Sequence, residues 1–291
     1  MRRHLMIEVL LATLLFSGSV PALSQDQGPL APPPKFEVKR LPSVPHPGPP
    51  PMPEQEIVRK FAENEEVMKK AYDTYNFTQA IRIEELSDPG GKLSVSGEVH
   101  TGPGGGRYWR VVKQPESNLK QSNFSLEDVR TIANFPLFVL TAAEIGNYNF
   151  MYAGQDKLDE LNTYVFQVKP KQLSRTRRFF EGVIWVDEHD LAIVKSYGKF
   201  VSELSGGGPK LPFTMFETYR ENFQGKYWLP TYTNSDDFIT QQDNDQLHLR
   251  LVIHSTDFKL NLTPDGSPTA DAPPASETRP SGQVSPNGPA P

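Results

Sequence analysis

The chain contains no cysteine. Disulfides are therefore excluded, and so are a cysteine nucleophile and a lipid anchor attached through cysteine. An exported domain of this composition must be held together by its hydrophobic core. Histidine is also scarce, at six residues, and none of them neighbours an obvious serine–acid constellation.

Long apolar runs are lacking as well. The run at 9–16 is far shorter than the roughly 20 apolar residues that a membrane-spanning helix needs. It follows two arginines and precedes small residues around Ala22. This order is typical of a secretory signal, so residues 1–24 are predicted to be a signal peptide cut after Ser24, with an uncleaved anchor as the alternative. We therefore expect an exported, periplasmic protein of the cell envelope that is soluble after cleavage.

Recognisable catalytic motifs are missing too. The sequence has no G-x-S-x-G, H-E-x-x-H or G-x-x-x-x-G-K-[ST], and the glycine runs at 104–106 and 206–208 are better explained as hairpin loops. The four titratable residues 187–190 suggest a metal, but adjacent residues on a turn rarely converge on one ion, so we interpret them as a solvated turn. Residues 243–245 resemble the start of a calcium-binding loop, but the fifth position of that loop would be Leu247, which has no side-chain oxygen to bind the ion. We call residues 243–245 the calcium-like segment. We expect no enzyme activity, no metal and no cofactor.

The overall charge is mildly acidic, with a formal net charge of -5. An acidic chain is a poor nucleic-acid binder, so no nucleic-acid partner is expected. Positive charge is nevertheless concentrated in one segment, which either faces an anionic membrane surface or acidic partner, or is simply a solvated loop. These basic surface candidates are Lys169, Lys171, Arg175, Arg177 and Arg178.

Both ends of the chain have a composition that does not fold. Residues 25–53 contain triple-proline runs at 32–34 and 49–51, and proline fixes φ and removes a donor, so a disordered, extended arm is predicted. This arm is a spacer or, alternatively, a ligand for a proline-reading partner. Residues 264–291 form a Pro/Ser/Gly-rich tail that cannot bury enough apolar surface to become ordered. One folded domain, 54–263, remains between them.

Within this domain the spacing of the apolar residues changes from that of an amphipathic helix to the two-residue alternation of a strand. Helices are predicted at 54–73 and 125–134, the second with Ser125 as its N-cap. The remaining segments alternate or are rich in β-branched and aromatic residues, which is typical of strands. Strands are predicted at 76–86, 92–100, 107–114, 147–158, 162–169, 213–223, 226–238 and 247–260, with a hairpin at 177–201. Consecutive hairpins favour an antiparallel meander, so the fold class is α+β with a single antiparallel sheet.

Aromatic residues are concentrated on these strands, some of which are apolar on both faces, as at 179–180 and 183–184. A curved sheet that its helices cover incompletely would leave a cavity lined by aromatic and leucine side chains, which suits an acyl chain. An ordinary packed core is the alternative. The ligand-binding cavity candidates are Phe150, Tyr152, Phe166, Trp185, Phe216, Trp228, Leu249 and Leu251.

Four consecutive segments of the domain carry a recognisable pattern. They are YNFMYAG at 148–154, TYVFQVKPK at 163–171, FEGVIWVDEHDLAIVKSYGK at 180–199 and the strand pair 213–233, which ends in KYWLPTYT. Their order and spacing resemble the outer-membrane lipoprotein-sorting (LolA-like) superfamily. The resemblance implies a strongly curved sheet, a half-barrel, with one long and one short helix packed on its concave side around an apolar cavity for acyl chains.

Members of this superfamily are carriers or binding proteins rather than enzymes. Candidates for the functional arginine of the carriers are Arg82 and Arg110. The resemblance therefore implies an exported, non-catalytic carrier or binding protein, whose ligand is a lipid acyl chain or a lipidated protein. A cell-envelope interaction or scaffold module that uses the proline-rich arms is the alternative, and an extracytoplasmic hydrolase is a third hypothesis.

Overall fold

The computed structural model describes residues 48–102, 106–134, 138–203, 213–240 and 246–261. The predicted signal peptide, most of the proline-rich arm and the C-terminal tail lie outside these residues. The calcium-like segment lies outside them as well, and so do both glycine runs apart from Gly106. In the described part of the chain, neither helix has the length and apolarity needed to cross a membrane.

The described chain begins with a long amphipathic helix, α1 (Glu54–Tyr72). Pro53 stands just before its first turn, where a missing backbone N–H costs no hydrogen bond. Acidic residues in the first turn and lysines in the last turn complement the helix dipole. Its buried residues recur at helical spacing on one stripe: Ile57, Phe61, Ala62, Glu65, Met68 and Tyr72.

A second, shorter helix, α2 (Leu126–Ala133), starts at the predicted N-cap. The Ser125 hydroxyl accepts from the backbone N–H of Asp128, and the Asp128 carboxylate accepts in return from the backbone N–H of Ser125. This capping box satisfies two donors that a helix start otherwise leaves without a partner. Val129 and Ile132 are the buried residues of α2.

Ten strands form one antiparallel sheet, whose order is β3-β2-β1-β10-β9-β8-β7-β6-β5-β4. The strands are β1 (Tyr75–Glu85), β2 (Lys92–Thr101), β3 (Arg107–Ser117), β4 (Tyr148–Leu158), β5 (Leu161–Pro170), β6 (Phe179–Asp187), β7 (Ile193–Val201), β8 (Phe216–Phe223), β9 (Tyr227–Thr240) and β10 (Gln246–Leu260). Every pairing joins strands consecutive in the chain except β1 with β10, which is non-local. The sheet is curved but not closed, and α1 and α2 lie on its concave side. The predicted α+β half-barrel is thus confirmed.

The faces of the sheet follow the sequence alternation. On β10, Leu247, Leu249, Leu251 and Ile253 are buried towards the helices, while the residues between them face outwards. The same regular alternation runs along β1 and β2. A bulge where Tyr219 and Arg220 of β8 meet β9 shifts the register by one residue, which is a usual way to bend a strand.

The buried apolar residues form two separate clusters along α1. The end of α1, α2 and strands β1, β2, β3, β8, β9 and β10 surround the first cluster, which includes Met68 and Phe77. The beginning of α1 and strands β4 to β7 surround the second, which includes Phe61 and Phe166. The candidate site lies where the two clusters adjoin, around the central strands β7, β8 and β9.

Candidate ligand-binding cavity

A cavity of about 290 Å³ lies between the concave face of the sheet and the two helices. Its lining comes from the ends of α1 and α2, from the segment that follows α2 and from eight of the ten strands. The apolar part of the lining is dominated by five phenylalanines, which are Phe77, Phe138, Phe180, Phe200 and Phe216. These side chains belong to, or pack against, both clusters, so the cavity occupies the space where the two clusters do not meet.

One wall of the cavity depends on a pair of glycines. Gly182 on β6 and Gly198 on β7 face each other in the ladder. The ring of Phe180 lies over them, since a Cβ added at Gly198 would stand 2.6 Å from its Cζ atom. On its other side, Phe180 stacks on Phe138 with the ring centroids 3.9 Å apart. The glycines therefore let an aromatic wall lie directly against the strands.

The floor of the cavity is polar. Ser196 of β7 pairs with Thr218 of β8, which pairs with Thr233 of β9, and all three line the cavity. The Thr218 and Thr233 hydroxyls are 2.9 Å apart and hydrogen-bonded. A second row crosses β1, β10 and β9, and it consists of Gln79, Ser255 and Thr231. We call these six residues the polar floor.

A buried ion pair stands at the edge of the cavity. Arg220 of β8 donates to Glu65 of α1 through two bonds, Nη1 to Oε1 at 2.5 Å and Nη2 to Oε2 at 3.1 Å. The same Nη2 atom donates to the carbonyl of Phe138, and the backbone N–H of Leu140 donates to Glu65. Both side chains are at most 2% exposed. This bidentate pair joins α1, the segment after α2 and the sheet.

The other arginine of the lining, Arg107 on β3, is also paired. Its guanidinium lies 3.7 Å from the centroid of the Tyr72 ring, donates to the Tyr72 carbonyl and faces the Asp73 carboxylate at 3.6 Å. Burial raises the pKa of the Tyr72 phenol above its usual value, and the nearby Arg107 offsets only part of that effect. Each cationic side chain of the described lining thus has a carboxylate partner.

Three of the eight predicted cavity residues lie in distinct places. Phe216 lines the cavity. Trp228 borders a second pocket of about 190 Å³ between α1 and the β8–β9 turn. Trp185 is on the outer face of β6, between Ile184 and Val186, which are buried on the inner face. Its indole N–H donates to Asp156 at 2.9 Å.

The other five predicted residues belong to the hydrophobic clusters. Leu249 and Leu251 are buried in the first cluster and Phe166 in the second. Phe150 and Tyr152 pack, partly buried, against the second cluster. None of the five is among the described residues that line the 290 Å³ cavity.

The acidic–histidine turn has its own hydrogen bonds. Asp187, His189 and Asp190 place ligand-type atoms within 4.8 Å of one another. However, Asp187 accepts from the backbone N–H groups of His189 and Asp190, and Asp190 accepts from the indole of Trp228. These hydrogen bonds stabilise the turn and join it to the β8–β9 hairpin.

The predicted basic cluster lies at the end of β5 and in the β5–β6 loop, and all five of its side chains are exposed. Three of the side chains face carboxylates: Lys169 faces Glu181, Arg175 faces Glu203 and Arg177 faces Glu144. Lys171 donates to the carbonyl of Gly146 at 2.9 Å. Much of the positive charge of this segment is therefore offset locally.

Sequence reasoning missed the polar floor and Arg220. The two candidate arginines lie on the outer face, where Arg82 is 3.3 Å from Glu84 and Arg110 is 2.6 Å from Glu98. A weak signal for Arg220 existed, because a buried arginine needs a carboxylate and Glu65 lies on the apolar stripe of α1. The serines and threonines of the floor carry no such signal, since the same residues are common at exposed strand positions.

No protein-family model and no curated protein matches this chain. Several solved structures, in contrast, are similar to it. A LolA superfamily protein from Nitrosomonas europaea is 17% identical, with 72% of this chain and 98% of that chain covered and a TM-score of 0.32. A putative outer membrane lipoprotein-sorting protein domain from Vibrio parahaemolyticus is 11% identical, with 69% and 94% covered and a TM-score of 0.32.

A DUF1329 family protein from Desulfovibrio piger is 12% identical, with 68% and 90% covered and a TM-score of 0.30. Because these TM-scores are below 0.5, the similarities do not decide what the cavity binds. The solved structures to which this chain is similar thus include members of the lipoprotein-sorting group that its sequence motifs resemble.

Proposed function

We propose that this chain is an exported, non-catalytic carrier or binding protein for a hydrophobic ligand, such as a lipid acyl chain or a lipidated protein. The observation that carries the proposal is the phenylalanine-lined cavity between the helices and the concave face of the sheet. A concave, mainly apolar pocket with a few polar groups is the usual form of a small-molecule site.

The size of the cavity limits the ligand. Its volume of about 290 Å³ is at the lower end of the roughly 300–1,000 Å³ found for ligand sites. A single acyl chain or a segment of one suits this volume, whereas a lipid with several chains would require the helices to move.

The chemistry of the lining favours binding over hydrolysis. Among the described lining residues there is no histidine, aspartate, glutamate or lysine. A general base must lie within hydrogen-bond reach of the proton that it removes, and these residue types are the usual ones. The hydroxyls of the floor consequently lack the base that would activate one of them as a nucleophile.

Two further parts of the proposal concern residues outside the cavity. Export to the periplasm rests on the signal-like segment 1–24. A role for the basic loop at an anionic membrane surface rests on its exposed side chains, three of which are already paired with carboxylates. The scaffold hypothesis remains the alternative, and deleting residues 25–53 would abolish partner capture while leaving lipid binding intact if it is correct.

The test is ligand binding by protein purified without detergent. Native mass spectrometry should detect co-purified acyl compounds, and the delipidated protein should bind the neutral fluorescent probe N-phenyl-1-naphthylamine. Two consecutive residues of β10 supply matched variants, because Ile253 lines the cavity and Val252 is on the outer face. Ile253→Phe should weaken probe binding by filling the cavity, and Val252→Phe should leave it unchanged.

Thermal melts would verify that both variants fold, since overpacking a core site costs about 1–3 kcal/mol. A protein that is purely apo and binds neither the probe nor a fluorescent fatty acid would overturn the proposal. Equal loss of binding in both variants would place the probe elsewhere than in this cavity.

A further inference from the structure

The polar floor contains hydrogen-bonding atoms without protein partners. Among the described residues, three that line the cavity each have a buried side-chain atom without a hydrogen bond, namely Gln79 Oε1, Thr231 Oγ1 and Arg107 Nε. Gln79 and Thr231 are each only 8% exposed. Buried polar groups are almost always hydrogen-bonded in folded proteins, so each such atom needs an explanation.

The position of these two side chains is the second observation. Gln79 of β1 is paired with Ser255 of β10, and Tyr232 of β9 is paired with His254, which places Thr231 beside Ser255 on the next rung. Neighbouring strands are about 4.8 Å apart, so the row from Gln79 to Thr231 spans roughly 10 Å. This row lies on the floor of the cavity, opposite the helices.

The neighbouring row shows that the geometry of the floor allows threonine hydroxyls to bond to each other. Thr218 and Thr233 lie one row away on the same floor, and their hydroxyls bond to each other at 2.9 Å. A threonine on this surface can therefore find a partner when a neighbour is placed to supply one. The Thr231 hydroxyl and the Gln79 amide oxygen, which belong to residues that also line the cavity, have no such partner.

The charges of the lining are balanced. Arg220 is held by Glu65 and Arg107 faces Asp73. An anionic ligand group would have to compete with these carboxylates, whereas an uncharged group bonds to the floor without disturbing either pair. The apolar walls accept hydrocarbon, and the floor accepts a neutral polar group.

We infer that the ligand is an uncharged acyl compound that carries a hydroxyl or amide hydrogen-bond donor, with its hydrocarbon against the phenylalanines and its donor on Gln79 and Thr231. This inference rests on the proposed function and specifies its ligand class. A hydroxyl group satisfies both sites, because it donates to an amide oxygen and exchanges a hydrogen bond with a threonine hydroxyl.

The test compares three ten-carbon probes in displacement of N-phenyl-1-naphthylamine from the full mature chain. Monodecanoylglycerol carries hydroxyl donors, methyl decanoate carries none, and decanoate carries a charge. We expect monodecanoylglycerol to bind about tenfold more tightly than methyl decanoate, the ratio expected from one or two neutral hydrogen bonds. Decanoate should bind more weakly than monodecanoylglycerol.

Variants locate the preference on the floor. Thr231→Val and Gln79→Met should each reduce the preference to about twofold while the affinity for methyl decanoate stays unchanged. Thr78→Val, on the outer face of β1 next to Gln79, is the matched control and should retain the wild-type preference. The three-probe comparison on the wild-type chain stands by itself should a variant fail to fold.

Equal affinity of the wild-type chain for monodecanoylglycerol and methyl decanoate would overturn this inference and leave the proposed function intact. Tighter binding of decanoate than of monodecanoylglycerol would do the same. Absence of binding by all three probes and by the fluorescent probe would overturn the proposed function itself.

Discussion

Lys195 and Ser196 are consecutive residues of β7, and their side chains lie on opposite faces of the sheet. On the outer face, the Lys195 ammonium is 2.8 Å from Glu217 and lies over the rings of Trp185 and Tyr219. Glu217 also accepts from the Tyr219 hydroxyl at 3.0 Å and from the Asn234 amide at 3.1 Å. The outer polar groups of these central strands therefore satisfy one another.

On the inner face of the sheet, only part of the polar floor has hydrogen-bond partners, and Gln79 of β1 and Thr231 of β9 keep unpartnered oxygens. The polar groups of the outer network bond to one another, so we expect them to contribute to stability. The unpartnered oxygens of the inner floor can still accept hydrogen bonds from a ligand. The proposals therefore assign different roles to the two faces: the outer network stabilises the sheet, and the inner floor binds the ligand. The predictions below test this division, beginning with the largest effect.

Arg220→Met should be the most destabilising substitution. It leaves the Glu65 carboxylate buried without its partner, which is expected to lower the free energy of unfolding by about 3–5 kcal/mol. Urea denaturation measures this loss. The double variant Glu65→Met/Arg220→Met should recover most of it, because no uncompensated charge then remains.

The matched control for Arg220 is an exposed ion pair. Arg250→Met removes one of the two partners of Asp236 on the outer face, the other being His248, and the expected loss there is below about 1 kcal/mol. A comparable loss in both variants would show that burial at the cavity edge does not make the Glu65–Arg220 pair more important for stability than an exposed pair.

Lys195→Met should separate stability from binding. The substitution removes the ammonium that is paired with the nearly buried Glu217, so we expect a loss of about 1–3 kcal/mol with unchanged binding of the fluorescent probe. Burial lowers the pKa of Lys195, but Glu217 and then Tyr219 raise it by more, so the net pKa is above its ordinary value. The wild-type contribution is therefore fully present below the ordinary lysine pKa and is lost as pH rises through the raised value.

A pH titration of unfolding in wild type and Lys195→Met measures that alkaline loss. If the stability of both proteins fell equally with rising pH, the stabilising role of the Lys195–Glu217 pair would be contradicted. A fall in probe affinity in Lys195→Met would contradict the division between the two faces.

Glu85 tests whether an inner carboxylate can also be purely structural. It lies at the end of β1 and accepts from the backbone N–H groups of Lys120, Gln121 and Ser122 at 2.7, 2.8 and 2.6 Å. Burial raises its pKa, but these hydrogen bonds lower it by more, so the net pKa is below the ordinary 4.5. Its contribution is present above the unfolded-state pKa and is lost as pH falls through the lowered value.

Glu85→Gln should therefore flatten the acid limb of the stability–pH curve and cost about 1–2 kcal/mol at neutral pH. Chemical denaturation from pH 3 to 7 would detect it, with probe binding at pH 7 unchanged. If stability fell as steeply at acid pH as it does in the wild type, the hydrogen bonds of Glu85 would not be the source of that fall.

Thr231→Val should have the smallest effect on stability. Because the Thr231 hydroxyl has no protein partner among the described residues, replacing it by a methyl group removes no hydrogen bond, and a change within about 0.5 kcal/mol is expected. Thermal or urea unfolding measures it. A large loss would mean that the hydroxyl is bonded within the protein, which would remove the reason for assigning it to a ligand.

The elements were largely predictable because their signals are local. The capping residues Ser125 and Asp128 mark α2, and the leucine alternation of β10 specifies which of its residues share a face. The short 3₁₀ helix Ile145–Asn147 was not predicted, since three residues carry too weak a pattern. The cavity was predictable only as a type of site, because most of its candidate residues lie in the hydrophobic clusters.

The sequence by itself determined the two helices, the ten strands and the alternation of each strand, since periods of 3.6 and 2 are local properties of the chain. Only the tertiary structure decided that β1 pairs with β10, that Arg220 meets Glu65 across 155 positions and that Trp185 faces outwards while Ser196 faces the cavity. Alternation divides a strand into two faces but does not say which face is enclosed. That choice depends on long-range pairing, which places ordinary serines and threonines on the floor of the cavity.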